Sequence, residues 1–406
     1  MNLCINPQCQ NPNKNSDTMI FCQGCGSELL LDGRYRVLNE LGQGGFATTY
    51  EVSDSNSHLL VLKVLMDNHP KYVELFQQEA RVLTILNHPG IPKVEPDSYF
   101  LYFPNGREEP LHCLVMEKVE GLNLEQYIHQ RGNRPLQPKR VLRWLAELSL
   151  ILEKVHEHNF FHRDIKPTNI MLKANGSLVL IDFGTARELN QSYIKKQAVG
   201  EITGVVTAGY TPMEQMKGRA VLQSDFYALG GTAIFLLTAQ NPSNLYSFAD
   251  NRFNWHEAAP EVPTEFANLI DCLTAFSPTQ RPRTAREIYN EVITIAPSLQ
   301  GLEENLYSDY ISYQPQRLQH PQSSLIDRSL QNTVFPTQSS SISEVTPEFI
   351  QRCCQELAEF IGPMATIVCK RALAQNPNLT KTELLETLAE KIANPQQAFI
   401  FKQRLS

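Results

Sequence analysis

The chain has 406 residues, more than one ordinary compact domain needs and enough for two or three. Apolar residues make up 42% of it, which excludes global disorder, and a net charge of −7 without a long basic run argues against nucleic acid as the main partner. The longest apolar run near the middle, Tyr227 to Ala239, is too short to span a bilayer, and the N-terminus has no charged and apolar leader, so a soluble cytoplasmic protein is expected.

Four segments separate by composition: 1–30, rich in cysteine; 34–295, dense in strand and helix patterns; 299–345, a linker rich in Gln, Ser, Pro and Tyr; and 346–406, helical again. In the first, Cys4 and Cys9 are followed after twelve residues by Cys22 and Cys25. Four thiolates at this spacing fit a tetrahedral, zinc-ribbon-like site, and so short a segment could hardly fold without metal or bridges. A redox dithiol switch is the second reading. The other cysteines, Cys113, Cys272, Cys353, Cys354 and Cys369, read as buried thiols in a reduced compartment.

The second segment opens with strands. Tyr35–Leu41 and Thr48–Val52 flank a glycine cluster, Leu41-Gly42-Gln43-Gly44-Gly45-Phe46-Ala47-Thr48-Thr49, where backbone amides can approach phosphates closely. A strand on the far side of the cluster excludes a dinucleotide-binding turn, which would enter a helix. Leu59–Leu65 is an apolar strand holding one lysine, Lys63, which needs a partner unless it points outward from an edge. Val73–Leu86 has helical spacing and contains Glu74 and Glu79. Asn105-Gly106 and Asn175-Gly176 are hairpin signals, and Val141–Glu157 has apolar residues at three- and four-residue intervals. Strands first and helices second predict an α+β fold with a β-rich small lobe and an α-helical large lobe.

Between the lobes' chemistry-bearing stretches lies His162-Arg163-Asp164-Ile165-Lys166-Pro167-Thr168-Asn169, followed after a short hairpin by Asp182-Phe183-Gly184. This grammar supplies a base for a hydroxyl proton and oxygen ligands for magnesium, the groups phosphoryl transfer needs. Order and spacing resemble the Hanks-type bacterial serine/threonine protein kinases over about residues 34 to 290. The resemblance implies ATP and Mg2+ as cofactors and a role in signal transduction with protein Ser and Thr residues as substrates, the kinase itself included. It makes Asp164 the base, Lys166 a contact of the transferring phosphate, and Asn169 and Asp182 the magnesium ligands. Lys63 would hold the nucleotide phosphates and pair with Glu79, whose register the following Asn87-His88-Pro89 favours over Glu74. Leu114–Gly121 resembles the hinge, with Met116, Glu117 and Val119 at the adenine. Ala47 and Thr49 depart from the glycine and valine of the pattern without removing a charge.

Further along, Thr207–Gln215 resembles the end of an activation segment. The resemblance pairs Glu214 with Arg281, gives Asp225 the task of anchoring the catalytic loop, and places Thr207 at that loop. Ser192, Thr203, Thr207 and Thr211 are phosphosite candidates, Thr203 being favoured, with Arg163 as the phosphate receiver. The N-terminal cysteines resemble a motif of certain cyanobacterial kinases, where a redox input is plausible. In the last segment Phe349, Ile350, Cys353, Leu357, Phe360 and Ile361 form an apolar stripe, Ile367, Val368, Ala372 and Leu373 continue it, and Thr380–Glu383 reads as a capping box for a helix through Ile392, before another at Pro395. A small helical domain that recruits a partner or a second copy is expected. The competing readings are a catalytically silent pseudokinase scaffold working through its terminal modules, and a small-molecule kinase of similar fold.

Overall fold

The computed structural model describes residues 2–304 apart from 14, 45, 185–186 and 189–205, then residue 306, and near the C-terminus 347–361, 368–369, 372, 380–389, 391, 398, 401–402 and 404–405. Contacts divide the chain into a unit of residues 1–317 and a unit of residues 318–406.

The first unit begins with a six-stranded antiparallel sheet built from β1 (Leu30–Leu31), β2 (Tyr35–Gln43), β3 (Ala47–Ser53), β4 (Leu59–Leu65), β5 (Tyr99–Tyr102) and β6 (Leu111–Glu117), in the spatial order β1-β2-β3-β4-β6-β5. Alternation sets its faces: Val37, Tyr50, Val52, Leu62, Val64, Leu111, Cys113 and Val115 form one buried core. Register shifts between Val37 and Asn39 and between Glu40 and Gly42 bend β2 as it enters the glycine cluster. Helix α1 (Pro70–Ile85) packs on this sheet. It starts where Pro70, at the first helical position, needs no N–H partner and the His69 ring accepts from the Lys71 amide at 3.3 Å.

Helices follow: α2 (Leu124–Gln130), opened by a reciprocal Asn123–Gln126 capping box, and α3 (Pro138–Glu157), amphipathic as its spacing predicts. After the two-residue strands β7 (Leu122–Asn123) and β8 (Phe160–Phe161), the hairpin β9 (Ile170–Leu172) and β10 (Leu178–Leu180) turns at Asn175-Gly176. After the short helix α4 (Met213–Met216), the apolar run becomes α5 (Leu222–Thr238), buried nearly all round at the centre of the large lobe. Gly231 makes this possible: a Cβ there would stand 2.7 Å from the Gly209 carbonyl oxygen, so only glycine lets the chain before α4 lie on the helix. Helices α6 (Thr264–Leu273) and α7 (Ala285–Ile295) complete the lobe.

The second unit contains α8 (Pro347–Ile361) and α9 (Lys381–Ala389), with Cys353, Leu357, Cys369, Ala372, Leu384, Leu388 and Phe401 in its core. The capping box at the start of α9 has both halves, Thr380 N–H to Glu383 at 2.8 Å and Glu383 N–H to Thr380 at 3.3 Å. Ile367, Leu373, Ile392 and Pro395 lie outside the described residues. Of the scattered cysteines, Cys113, Cys353 and Cys369 are buried as expected. Cys272 is exposed instead, on the outer face of α6, where its thiol donates to the Gln280 carbonyl at 3.3 Å. Among the described residues no helix is long and apolar enough to cross a membrane.

Candidate active site and cysteine centre

Lys63 sits on β4, which runs between β3 and β6, so the outward edge position is ruled out. Its ammonium lies 2.7 Å from Glu79 of α1 and 2.8 Å from Asp182. Glu79 is buried, and Glu79 rather than Glu74 meets the lysine. Burial disfavours the charge on Lys63, but the two carboxylates outweigh it and raise its pKa. The same lysine, set against burial, brings the Asp182 carboxyl down to about 2.

Asp164 lies on a loop whose shape is over-determined. The Asp225 carboxylate of α5 accepts from the His162 and Arg163 amides, each at 2.8 Å, and faces His156 at 2.9 Å. The Gln215 amide donates to the Arg163 carbonyl at 2.6 Å. These bonds hold Arg163 at φ 71°, a left-handed conformation costing about 1–3 kcal/mol in a residue with a side chain. Asp182, at φ 63°, is held likewise by Lys63, while Phe183 is buried with its edge on the His162 ring at 4.7 Å. The result points three groups at Asp164: Lys166 at 2.7 Å, the Asn169 amide at 2.9 Å and the Thr207 hydroxyl at 3.0 Å.

The structure therefore brings Lys63, Glu79 and Asp182 together, and Asp164, Lys166 and Asn169 together. Met116 pairs across from Val61 and Glu117 from Leu60 at the end of β6, and Val119 follows them. Glu214 meets Arg281 at 2.7 Å. Gly45, Ser192 and Thr203 lie outside the described residues; Thr211 is buried, its hydroxyl accepting from the Thr207 amide at 2.7 Å.

Residues 35–293 match the protein kinase domain model. The chain belongs to the protein kinase family. The serine/threonine-protein kinase B of Synechocystis is 33% identical over 304 residues, 71% of this chain and 51% of that protein. The serine/threonine-protein kinase PknA of Nostoc is 37% identical over 270 residues, 64% of this chain and 47% of that protein. The chain thus spans about half the length of these curated relatives. The kinase domain of Mycobacterium tuberculosis PknI superposes with a TM-score of 0.50 at 23% identity, covering 64% of this chain and 96% of that one, which bears on fold alone. Residues 348–406 match a domain of unknown function, DUF8082.

Several kinase-site contacts carried no sequence signal. Lys118 reaches Glu51 of β3 at 2.8 Å and Glu120 at 2.6 Å, tying the segment that follows β6 to the strand beyond the glycine cluster. Phe46, at the tip of that cluster, stacks on Tyr72 of α1 with ring centroids 3.9 Å apart. The buried Glu147 of α3 accepts from the Leu178 amide at 2.6 Å with one oxygen, while its other oxygen has no hydrogen-bond partner among the described residues. Burial raises its carboxyl to about 7 despite that amide and nearby Arg143 and Lys173.

The four N-terminal cysteines converge, their sulfurs all within 4.8 Å of one another. Cys4 faces Cys25 at 3.6 Å, and Cys9 faces Cys22 at 3.6 Å. A tetrahedral centre with metal–sulfur bonds of about 2.3 Å would hold its sulfurs roughly 3.8 Å apart, so the spacing fits zinc, whereas disulfide sulfurs sit at about 2.05 Å. The Gly24 amide donates to Cys22 Sγ at 3.4 Å. Burial raises the Cys4 and Cys9 thiols, whereas at Cys25 the Ser27 hydroxyl and amide and the neighbouring thiols outweigh burial and bring it down to about 6.

Proposed function

We propose that this chain is a serine/threonine protein kinase that transfers the γ-phosphoryl group of ATP to protein hydroxyls, its own included, in signal transduction. The convergence of Lys166, Asn169 and Thr207 on Asp164 carries the reading. In it, Asp164 accepts the proton of the attacking hydroxyl while that oxygen bonds to the γ-phosphorus and the bond to the β-phosphate oxygen breaks, releasing ADP. Lys166 neutralises charge on the phosphoryl group in passage. Lys63, fixed by Glu79, orients the nucleotide phosphates. The amides of Leu41–Thr49 cover those phosphates, and backbone groups at Met116, Glu117 and Val119 face the adenine. Asn169 and Asp182 would hold Mg2+, which supplies charge neutralisation between the phosphates. Thr207, beside the base, supports a Ser or Thr acceptor. The presence of Lys63, Glu79, Asp164, Asn169 and Asp182 favours a working enzyme over a pseudokinase scaffold.

Cys4, Cys9, Cys22 and Cys25 we read as a structural zinc site. The segments proposed are a cysteine module over 1–30, the kinase domain over 34–295, a linker over 299–345 and a helical domain over 346–406 that recruits a partner or a second copy. The reading of a cytoplasmic protein without nucleic-acid partners rests on composition and charge.

The test is transfer of labelled γ-phosphate, with magnesium, to the protein itself and to a generic basic protein, comparing wild type with Asp164→Ala. Transfer by the wild type that the variant lacks supports the reading. No transfer by reduced, zinc-loaded wild type contradicts it.

A further inference from the structure

The cysteine centre is built into the nucleotide-binding sheet at two places far apart in its strand order. Near β2, the Leu3 amide donates to the Val37 carbonyl at 2.8 Å and the Arg36 guanidinium to the Met19 carbonyl at 2.8 Å. At the opposite edge, the Tyr102 hydroxyl of β5 donates to the Glu28 carbonyl at 2.6 Å. Just beyond it, Asn105 directs three of its four polar groups to the cysteine arms. Its side-chain amide donates to the Cys25 carbonyl at 2.9 Å and its backbone N–H to Ser27 Oγ at 2.9 Å. Its carbonyl accepts from the Asn6 side chain at 3.2 Å. Asn6 comes from the Cys4–Cys9 arm and also donates to Ser27 Oγ at 3.0 Å, which lies 3.2 Å from the Cys25 sulfur. Gly26, at φ 73°, admits this contact, since a Cβ would stand 2.9 Å from the Asn105 nitrogen. Ile5 is buried in the same core as Leu62 and Val64, the two neighbours of Lys63.

We propose that the Cys4–Cys9–Cys22–Cys25 centre is a cross-brace of the nucleotide-binding lobe, and that Asn105 is the positioning residue through which metal occupancy sets the lobe's affinity for nucleotide. The inference rests on the zinc reading above. Apart from the sulfurs, the two cysteine arms share a small cluster with Leu29 and Met19 and the Asn6–Ser27 hydrogen bond. Such a segment keeps its shape only while its four thiolates share a cation. When the arms part, Asn105 loses partners on both of them together, the β5–β6 loop and the β2 edge lose their link, and Ile5 is freed from the core that sets Lys63. The consequence falls on nucleotide binding, because Lys63 and the strands flanking the glycine cluster belong to that same sheet.

The experiment uses the full chain. Zinc content is measured first, then a zinc-selective chelator is added with magnesium in excess, and binding of a fluorescent ATP analogue is titrated before, after, and on return of zinc. The expected result is stoichiometric zinc and a dissociation constant that rises about tenfold on removal, the equivalent of one or two lost hydrogen bonds, and recovers with zinc. Asn105→Ala, with its four thiols intact, should retain zinc, bind nucleotide more weakly than wild type while zinc-loaded, and respond to chelation by less than about threefold. An unchanged dissociation constant after zinc has left overturns the proposal and leaves the zinc reading standing. So does an Asn105→Ala protein that matches wild type before and after chelation. Absence of zinc from the purified and the zinc-supplemented chain overturns both.

Discussion

Lys63 and Asp182 are 119 positions apart in sequence, yet their charges meet at 2.8 Å, which fixes the small lobe's central strand against the loop that follows β10. Glu79 completes the cluster from α1 at 2.7 Å. In the proposed reading the lysine is a nucleotide contact, and it is also the cationic partner of the buried Glu79 carboxylate. Lys63→Met should therefore lower phosphoryl transfer by about 10²-fold or more. It should also destabilise the fold by about 3–5 kcal/mol, because Glu79 would be left as an uncompensated buried charge. Restoring part of that stability with Glu79→Gln in the same protein, read by urea unfolding, separates the two effects; no recovery would argue that Glu79 is not ionised beside Lys63.

Glu147 offers a pH-dependent test. Its carboxyl is raised from 4.5 to about 7 by burial, so the folded state binds this proton more tightly than the unfolded state. The associated stability is fully present below about pH 4.5 and is lost as pH rises through 7. Glu147→Gln mimics the protonated form and keeps an oxygen for the Leu178 amide. Thermal unfolding of variant and wild type should nearly coincide at pH 5, with the variant the more stable at pH 8 by about 2–3 kcal/mol. Equal differences at both pH values would show that this carboxyl does not titrate as stated.

Tyr72 gives the glycine cluster a support on α1. Its ring stacks on Phe46, and His69 lies beside it at 5.2 Å. Removing the ring in Tyr72→Ala forfeits about 0.5–1.5 kcal/mol of stacking that steadies the cover over the phosphates, so KM for ATP should rise about threefold to tenfold. Tyr72→Phe should restore it. A change in kcat alone would place the effect elsewhere.

Arg281 is buried against Glu214, with further bonds to the Ala275, Gln223 and Phe276 carbonyls at 2.8, 2.9 and 3.1 Å. Arg281→Met should cost about 3–5 kcal/mol in urea unfolding, since Glu214 and three carbonyls lose their donor together. A loss under about 1 kcal/mol would mean the pair behaves as a surface ion pair.

The catalytic groups were legible because phosphoryl transfer fixes residue types at short, ordered spacings: Asp164, Lys166 and Asn169 lie within six residues, and Asp182 follows one hairpin later. The strand of Lys63 was legible as a short apolar run, Leu59–Leu65, interrupted by one lysine, and the cysteine pairs in their spacing. What the pattern could not show was how the cysteine segment joins the sheet. Asn105 read only as a turn residue, because its hydrogen bonds go to residues about eighty positions earlier. Glu147 lies unmarked within the apolar periodicity of Val141–Glu157, and only the packing of β10 against α3 reveals it as buried. Phe46 read as part of a phosphate loop, whereas its ring leans away onto α1. Long-range contacts of this kind leave no local periodicity behind.

The most direct test of the central claim is peptide-resolved mass spectrometry of the protein and a generic basic substrate after incubation with MgATP, with wild type and Asp164→Asn in parallel. The account predicts phosphate on Ser and Thr side chains with the wild type and its loss by about 10²-fold or more in the variant. Equal phosphate with both proteins, or none with reduced and zinc-loaded wild type, would contradict it.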